Sequence, residues 1–278
     1  MELDVFHLFL WEPFWFKDTP FAVNRVVILM LLVGLVTSAV FVIGAAKAAK
    51  TRNPKGLGMV AETGYLFVRN NIAIDVIGPE GARFAPYLAT VFFFIFFANL
   101  TEIIPGISFP VTSRMALPAV LALATYVIYN VVGIKNHGFS YFKDTLFPPG
   151  VPWPIYFILT PIEFFSVFII RPLTLAIRLM ANLLAGHVLV VVFVLFTEDL
   201  IFSGIGTPLG VLTFLTIALL IVFELMVILI QAYIFTTLSA FYIAESLHGH
   251  GDHEGHEAGG ESTHEHANPH REVEVAVA

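Results

Sequence analysis

Residues 153–197, WPIYFILTPIEFFSVFIIRPLTLAIRLMANLLAGHVLVVVFVLFT, decide the fold. The run is apolar enough to lie in lipid, yet it contains Glu163, Arg171, Arg178, Asn182 and His187. An arginine in the middle of a membrane helix costs several kcal/mol, and such residues usually face a bundle interior, a water path or a fixed partner. Apolar residues flank Arg178 on both sides, so its side chain cannot easily reach an interface. We therefore expect the rest of the chain to be built around this polar set.

The composition is that of an integral membrane protein. The chain has 278 residues, of which 58% are hydrophobic and 13% charged, and its mean hydropathy is +0.85. It has no cysteine, which excludes disulfides and thiolate metal sites. The formal net charge of −7 comes from residues 245–278, whereas residues 1–244 are neutral. No basic surface indicates a nucleic-acid partner.

Apolar windows of about 20 residues, the length that crosses a bilayer, predict the helices. We expect a single helical membrane domain over 26–245, with spans at 26–46, 85–104, 115–134, 153–197 and 209–244. Residues 57–77 mix apolar and polar side chains too freely to span, which is typical of an amphipathic helix on the membrane surface. The sequence thus predicts an all-α integral membrane protein with about five membrane helices and one surface amphipathic helix.

The two ends of the chain differ from this domain. Residues 1–25 have no cleavable signal pattern, and Trp11 and Trp15 favour an interfacial anchor. Residues 246–278 are rich in histidine and acids and cannot build a core, so we expect a disordered tail. The tail could bind transition metals weakly, but its composition favours a solvated segment, and no metal site is predicted.

Basic residues set the predicted orientation. Lysine and arginine concentrate in the 47–83 and 135–152 loops, which lie on one side if the spans alternate, whereas the 198–208 link has acids and no bases. By the positive-inside rule the basic side is cytoplasmic. We therefore expect the N-terminus outside and the C-terminal tail in the cytoplasm.

The last two apolar runs are too long for simple spans. About 45 residues of helix is roughly 67 Å, twice the thickness of the hydrocarbon core. Either the runs are broken, with Pro161 and Pro172 as break points, or the helices are strongly tilted.

Spacing relates the polar residues of these two runs. An antiparallel hairpin that turns near residue 205 brings His187 level with Glu224, and Arg178 level with Gln231. A histidine and a glutamate at one depth form a titratable pair suited to passing protons. No acid of the hairpin lies level with Arg178. A carboxylate on another chain, which meets Arg178 transiently, would supply the missing partner.

Each residue also has a structural interpretation. His187 could be a packing residue, Glu163 a charge at a helix N-terminus and Glu102 a snorkelling side chain. Arg171 is better explained as an interfacial or structural residue. Asn182 and Gln231 could form an interhelical hydrogen bond.

Three segments resemble subunit a of the F-type ATP synthases. RPLTLAIRLMANLLAGH, residues 171–187, resembles the family signature around its essential arginine, here Arg178. LIQAYIFTTLSAFYI, residues 229–243, resembles the last-helix signature, with its glutamine at Gln231. FANLTEIIPG resembles an earlier element of the family, with Asn99, Glu102 and Pro105.

The resemblance implies a partner and a path. It implies a rotor ring of c subunits with membrane carboxylates, peripheral-stalk b subunits, the other synthase subunits and a surrounding bilayer, in a bacterial plasma membrane. It also implies a long, strongly tilted hairpin of the last two helices against that ring. Protons would enter from outside past Glu102, His187 and Glu224, along Asn182 and Gln231.

The same resemblance implies how protons leave. They would exit to the cytoplasm near Glu163, and Arg178 would act on each ring carboxylate and prevent leakage. Many bacterial members carry His187 and Glu224 exchanged, which preserves the pair. ATP chemistry would occur on other subunits, because no phosphate-binding Gly-rich loop is present, and no cofactor is expected.

A proton-coupled secondary transporter of a metal or small solute is the alternative. It requires polar residues from several helices at one midplane site. The 26–46 and 115–134 spans are nearly devoid of such residues, and no internal repeat is visible. A purely structural scaffold would leave Arg178 without a purpose.

Overall fold

The computed structural model describes residues 25–50, 55–104, 112, 114–138, 140–147, 152–202 and 207–248. These segments contain helices and turns and no strand, which confirms the all-α prediction. The N-terminal anchor at Trp11 and Trp15 and the histidine-rich tail beyond His248 lie outside the described residues.

Nine α-helices follow in chain order. They are α1 (Arg25–Lys50), α2 (Leu57–Val68), α3 (Asp75–Ile77), α4 (Ala85–Leu100), α5 (Ala116–His137), α6 (Ser140–Leu146), α7 (Trp153–Phe165), α8 (Arg171–Phe202) and α9 (Thr207–His248) within the described ranges. Arg69–Ile74 and Ser166–Ile170 form π-helical turns, and Pro79–Arg83 forms a 3₁₀-helix.

Four helical stretches are long and apolar enough to cross a membrane. They are Val26–Gly44, Ala116–His137, Trp153–Leu200 and Leu209–His248, and the apolar Ala85–Leu100 is a shorter fifth. Since each carries its backbone hydrogen bonds internally, it can lie in hydrocarbon. The chain is therefore a multi-helix membrane protein, as its composition predicts.

The 57–77 segment packs against the membrane helices. Val68, Ile72 and Ile77 are at most 1% exposed, and α3 contacts α9. A Cβ on Gly81 would collide with the carbonyl of Ala73, so only glycine permits the tight return into α4. Location at the membrane surface stays a prediction for this segment.

The last two long helices form an antiparallel hairpin. α8 and α9 share the most extensive contact of the described elements. The first arm is not broken at a proline: Pro161 lies inside α7, and the helix continues through Ser166–Ile170 into α8. The 48 residues from Trp153 to Leu200 extend over roughly 72 Å. The strong tilt that this length suggests stays a prediction.

The core lies where α4, α5, α8 and α9 meet the 57–77 segment. Leu88, Ile95, Leu179 and Phe235 are at most 1% exposed there. Tyr87 Oη lies 2.8 Å from Thr125 Oγ1, which ties α4 to α5 inside this core. These contacts fix the faces that α8 and α9 turn inward, and so they position the polar residues of the hairpin.

Candidate functional site

The structure brings two acids and a histidine together from three elements. Glu102 follows α4 in a turn, His187 lies on α8 and Glu224 on α9. His187 Nδ1 is 3.3 Å from Glu102 Oε1, and all three residues are at most 9% exposed. His187 also interacts electrostatically with Glu224. We call Glu102, His187 and Glu224 the outer cluster.

The two carboxyl groups of the outer cluster interact with each other electrostatically. An ionised carboxylate only accepts hydrogen bonds, so two such groups can share a hydrogen bond only when one of them carries a proton. Both oxygens of Glu102 and Oε1 of Glu224 are buried and form no hydrogen bond with the described residues, although His187 Nδ1 lies close to Glu102 Oε1. Buried acceptors in this state are satisfied by a proton or by water.

A cavity of ≈ 200 Å³ adjoins these carboxyls. Its lining includes Glu102, Asn182 and Glu224, together with apolar side chains of α8 and α9 such as Leu220 and Val227. A cavity of this size has room for several water molecules, and the unpaired oxygens offer the polar partners that such waters require. The cluster can therefore exchange protons through water.

Gly186 allows Glu224 to approach the backbone of α8. A Cβ at position 186 would lie only 2.5 Å from Glu224 Oε1. The neighbouring residue in the chain is His187, so one turn of α8 supplies both the close approach and the imidazole. The absent side chain at 186 thus helps to place the carboxyl of α9.

Asn182 and Gln231 form the next polar contact along the hairpin. Asn182 Nδ2 donates to Gln231 Oε1 at 3.2 Å. Gln231 is 2% exposed, and its Nε2 has no acceptor in the part of the chain that the structure describes. The sequence placed Gln231 level with Arg178, whereas here its partner is one helical turn further along α8. Asn182 also lines the cavity, so it combines an interhelical hydrogen bond with a place beside the cavity.

Arg178 lies on the exposed side of α8. The described residues give its guanidinium neither a hydrogen bond nor an ion pair, although the phenol of Tyr242 is within electrostatic reach. Thr174, Ala181 and Ala185 lie on the same exposed face and are small. The result is a shallow surface with one permanent cation, which has the space for another helix to approach closely.

A second charged group lies at the opposite end of the hairpin. Arg171 donates to both oxygens of Glu245, with Nη2 2.9 Å from Oε1, and its guanidinium lies 5.4 Å from the ring centre of Tyr242. Glu163 Oε1 is 4.0 Å from Arg171 Nη2. We call Glu163, Arg171, Tyr242 and Glu245 the inner cluster. It combines two acids with one permanently charged base.

The sequence did not identify Glu245 as a partner of Arg171. In the sequence analysis Glu245 belongs to the acidic tail, whereas in the structure α9 continues to His248 and places Glu245 in the inner cluster. The two hydrogen bonds from Arg171 to Glu245 support the structural interpretation of Arg171. The apolar periodicity of AFYIAESL, residues 240–247, was the available signal that the helix continues.

Further hydrogen bonds fix the end of α9 beside the inner cluster. Tyr141 Oη lies 3.3 Å from Ser246 Oγ, and His137 Nε2 lies 3.0 Å from the carbonyl of Leu247. Burial raises the pKa of the Tyr141 phenol, so the group remains a neutral hydrogen-bonding partner. These contacts join α5 and α6 to α9.

Asn99 supports the turn that carries Glu102. It is fully buried, and its Oδ1 accepts a hydrogen bond of 2.6 Å from Thr112 Oγ1. Thr101 Oγ1 donates to the carbonyl of Ala98 at 2.7 Å and closes the same turn. Pro105, the third member of the FANLTEIIPG element, lies outside the described residues.

No group of three or more histidines and acids in the described ranges could hold a metal ion. The charged residues of this site form three separate features. They are the outer cluster, the exposed Arg178 and the inner cluster.

Comparisons with known proteins agree with one another. Residues 27–244 match the family described as ATP synthase A chain. A protein of Parafrankia named ATP synthase subunit a is 44% identical over 254 residues, which are 90% of this chain and 85% of that protein. Proteins of the same name from Rhodococcus erythropolis and Hyphomonas neptunium are 42% and 41% identical. They cover 82% and 77% of this chain, and 84% and 85% of their own lengths.

The family match and these relatives each cover most of the chain. Residues 27–244 contain the outer cluster, Arg178 and most of the inner cluster. The chain therefore belongs to the ATP synthase subunit a family, the non-catalytic membrane subunit that works with the other subunits of the synthase.

Proposed function

We propose that this chain is the proton-translocating stator subunit of a rotary ATP synthase and forms two aqueous half-channels. The observation that carries the proposal is the separation of Arg178, exposed on α8, from a buried cluster of proton-binding groups in the same hairpin. A permanent cation between two proton paths repels a free proton and attracts a carboxylate. Family membership supports the stator role.

In this proposal the outer cluster takes protons from the outer side. Water in the adjoining cavity delivers a proton to the facing carboxyls of Glu102 and Glu224. His187, 3.3 Å from Glu102, is the third group that can bind it. Asn182 and Gln231 continue the polar surface toward Arg178 and guide the proton to the rotor.

The rotor partner is a ring of c subunits with membrane carboxylates. Arg178 favours the ionised form of each arriving carboxyl, so the carboxyl releases its proton before it passes the arginine. Thr174, Ala181 and Ala185 leave room for the ring helix to approach. Glu163, on the far side of Arg178 from the outer cluster, receives the released proton and passes it to the cytoplasm.

The remaining assignments follow from the same proposal. The basic 47–83 and 135–152 loops lie on the cytoplasmic side of a bacterial plasma membrane, the N-terminus lies outside and the tail lies inside. Peripheral-stalk b subunits hold the chain against the turning ring. The secondary-transporter alternative is weaker, because α1 and α5 contribute none of the described residues that line the cavity.

Crosslinking to the ring tests the proposal directly. The chain has no cysteine, so single cysteines can be placed without removing others. Ala181→Cys, on the face of Arg178, should crosslink to a small proteolipid subunit that copurifies with the complex. Leu123→Cys, exposed on α5, is the matched control and should not. Crosslinks from position 123 with none from position 181 would refute the rotor-facing assignment.

A further inference from the structure

The π turn Ser166–Ile170 lies between Glu163 and the two arginines. A π turn hydrogen-bonds from residue i to i+5 and so contains one residue more than an α turn. Arg171 is the eighth residue after Glu163, and eight α-helical steps would leave the two about 80° apart around the axis. With one residue absorbed by the π turn, the offset falls to about 20°. The distance of 4.0 Å between Glu163 Oε1 and Arg171 Nη2 agrees with a shared face.

The same face continues to Arg178. Arg171 and Arg178 are seven residues apart within α8, which again leaves an offset of about 20°. The two offsets add, so Glu163 lies about 40° from Arg178 around the axis, compared with about 60° in an uninterrupted α-helix. The π turn therefore brings Glu163 into line chiefly with Arg171. An uninterrupted α-helix of the same sequence would turn Glu163 toward a neighbouring face.

Few contacts with the described residues orient α7, and one of them is the ring of Tyr156, 5.6 Å from that of Phe147. None of its residues is buried, and its main neighbours are α6 and the π turn itself. Thr160 Oγ1 donates a long hydrogen bond of 3.3 Å to the carbonyl of Leu146. Since packing is sparse, the rotation of α7 relative to α8 depends on the geometry of Ser166–Ile170.

Tyr129 of α5 holds this turn from the core. Its hydroxyl donates to the carbonyl of Val167 at 3.1 Å, and both residues are at most 2% exposed. The ring of Tyr129 lies 5.8 Å from that of Tyr242, which in turn contacts the guanidinium of Arg171. One hydroxyl thus connects the π turn to the packed inner cluster.

We propose that the π turn Ser166–Ile170, held by Tyr129, sets the rotation of α7 so that Glu163 faces the same side as Arg171. Tyr129 is then a positioning residue for proton release. The inference rests on the proposed role of Glu163 in that release. The structural half of it, the rotation of α7, can be measured without any transport assay.

Two length variants separate rotation from mere disturbance. Deleting Ile169 turns the π turn into an α turn and keeps Glu163 in line, so the assembled synthase should retain at least about half of its proton-driven ATP synthesis. Inserting an alanine after Ile169 rotates α7 by about 100°, and synthesis should fall at least about tenfold. Equal rates in the two variants would overturn the proposal.

Tyr129→Phe tests the hydroxyl while it keeps the ring. It should lower synthesis about fivefold, since one neutral hydrogen bond shifts a local equilibrium by about that factor. Tyr126→Phe, an adjacent ring on α5, is the control and should have little effect. In the chain that lacks Ile169, Tyr129→Phe should no longer lower the rate, because no π turn remains to hold. A loss of equal size in that background would assign Tyr129 a purely structural role and refute the proposal.

Spin labels measure the rotation itself. Nitroxides on cysteines at Ile162 and Ile177, both exposed, lie about 22 Å apart along the helix. Tyr129→Phe should broaden their distance distribution and the alanine insertion should shift its maximum, whereas Tyr126→Phe should change neither. Unchanged distributions would refute the positioning role. Normal transport in Glu163→Gln would instead refute the release path and leave the distance result standing.

Discussion

The outer and inner clusters are built from similar groups and differ in how completely those groups are paired. In the inner cluster, Arg171 donates to both oxygens of Glu245 and contacts the ring of Tyr242. In the outer cluster, three carboxyl oxygens form no hydrogen bond with the described residues, and both acids line a cavity. A fully paired network rigidifies a protein, whereas a partly paired one leaves places for water and protons. The hairpin thus combines a rigid Arg171–Glu245 pair at one end with an incompletely paired cluster at the other.

The choice of base reinforces the difference. Arginine stays charged and presents a planar fork that matches a carboxylate. Histidine changes charge near neutral pH and can hand on a proton. Arg178 belongs to neither cluster: it is permanently charged but has no ion pair with any residue that the structure describes. Its partner in our proposal arrives with the ring.

The largest effect should come from Arg178, which separates the two clusters. Arg178→Ala should abolish proton-driven ATP synthesis in vesicles, with a loss of at least about 100-fold, and Arg178→Lys should fail too, because lysine can lose its proton when buried. Assembly should persist, and Arg83→Lys, at an exposed arginine, should leave synthesis normal. Near-normal synthesis by Arg178→Lys would contradict the need for a permanent planar cation.

The outer cluster should show strong coupling between His187 and Glu224. Either change to alanine should slow proton uptake about tenfold, because the remaining group loses its partner. His187→Glu alone places another acid beside Glu102 and Glu224, and adding Glu224→His should restore much of the loss. The measurement is a double-mutant cycle of transport rates, with exposed Glu62→Ala as control. Additive losses without rescue would show that the two residues act separately.

The inner cluster should respond in stability rather than in proton affinity. Arg171→Ala removes the arginine from beside the partly buried Glu245 and should lower the free energy of unfolding by about 2–3 kcal/mol, and Glu245→Ala should cost less, because Glu163 stays 4.0 Å from Arg171. Arg171→Met with Glu245→Leu should recover part of that loss, because both charges are gone. Thermal unfolding of the purified complex measures this. Glu80→Ala, which breaks the exposed pair with Arg83, should cost at most about 0.5 kcal/mol. A double variant worse than either single one would contradict this interpretation.

Gly186 gives the smallest and most local test. Gly186→Ala should push the carboxyl of Glu224 away from α8 and slow proton uptake about threefold, since the flexible side chain can move. Gly34→Ala is the matched helical control, because its Cβ would meet Phe94 at an ordinary 3.9 Å. Equal rates in both variants would show that the position of Glu224 is not set by Gly186.

The sequence predicted features that depend on nearby residues better than contacts between residues far apart in the chain. Hydropathy predicted the membrane helices. The numbers of residues between His187, the link and Glu224 predicted that these two side chains lie at the same depth in the hairpin. The link from Glu102 to that pair came from family resemblance, because a turn after α4 can reach many places. The pair of Arg171 and Glu245 spans 74 positions, and no local pattern encodes such a contact.

Pro161 and Ser166–Ile170 show the same limit within one helix. A break at Pro161 is one of the two alternatives that the sequence leaves open, because proline removes a hydrogen bond. The helix instead continues through Pro161, since the lost bond is tolerated in membrane helices. The amino-acid composition of the π turn does not distinguish it from an α-helix, because SVFII is an ordinary apolar helical sequence. The hydrogen bond from Tyr129 of α5 to the carbonyl of Val167 within this turn is a tertiary contact, which only the folded chain reveals.

The exposed guanidinium of Arg178 also bears on the life of the protein before its partners are in place. In a newly inserted copy without its partners, a cation at this depth would cost about 3 kcal/mol on insertion scales, a figure that already includes relief by local thinning and water defects. Under the proposed function, a ring carboxylate beside Arg178 would remove most of that cost, so the free subunit would be the less stable species. Biogenesis would then favour prompt assembly over a long-lived unassembled chain.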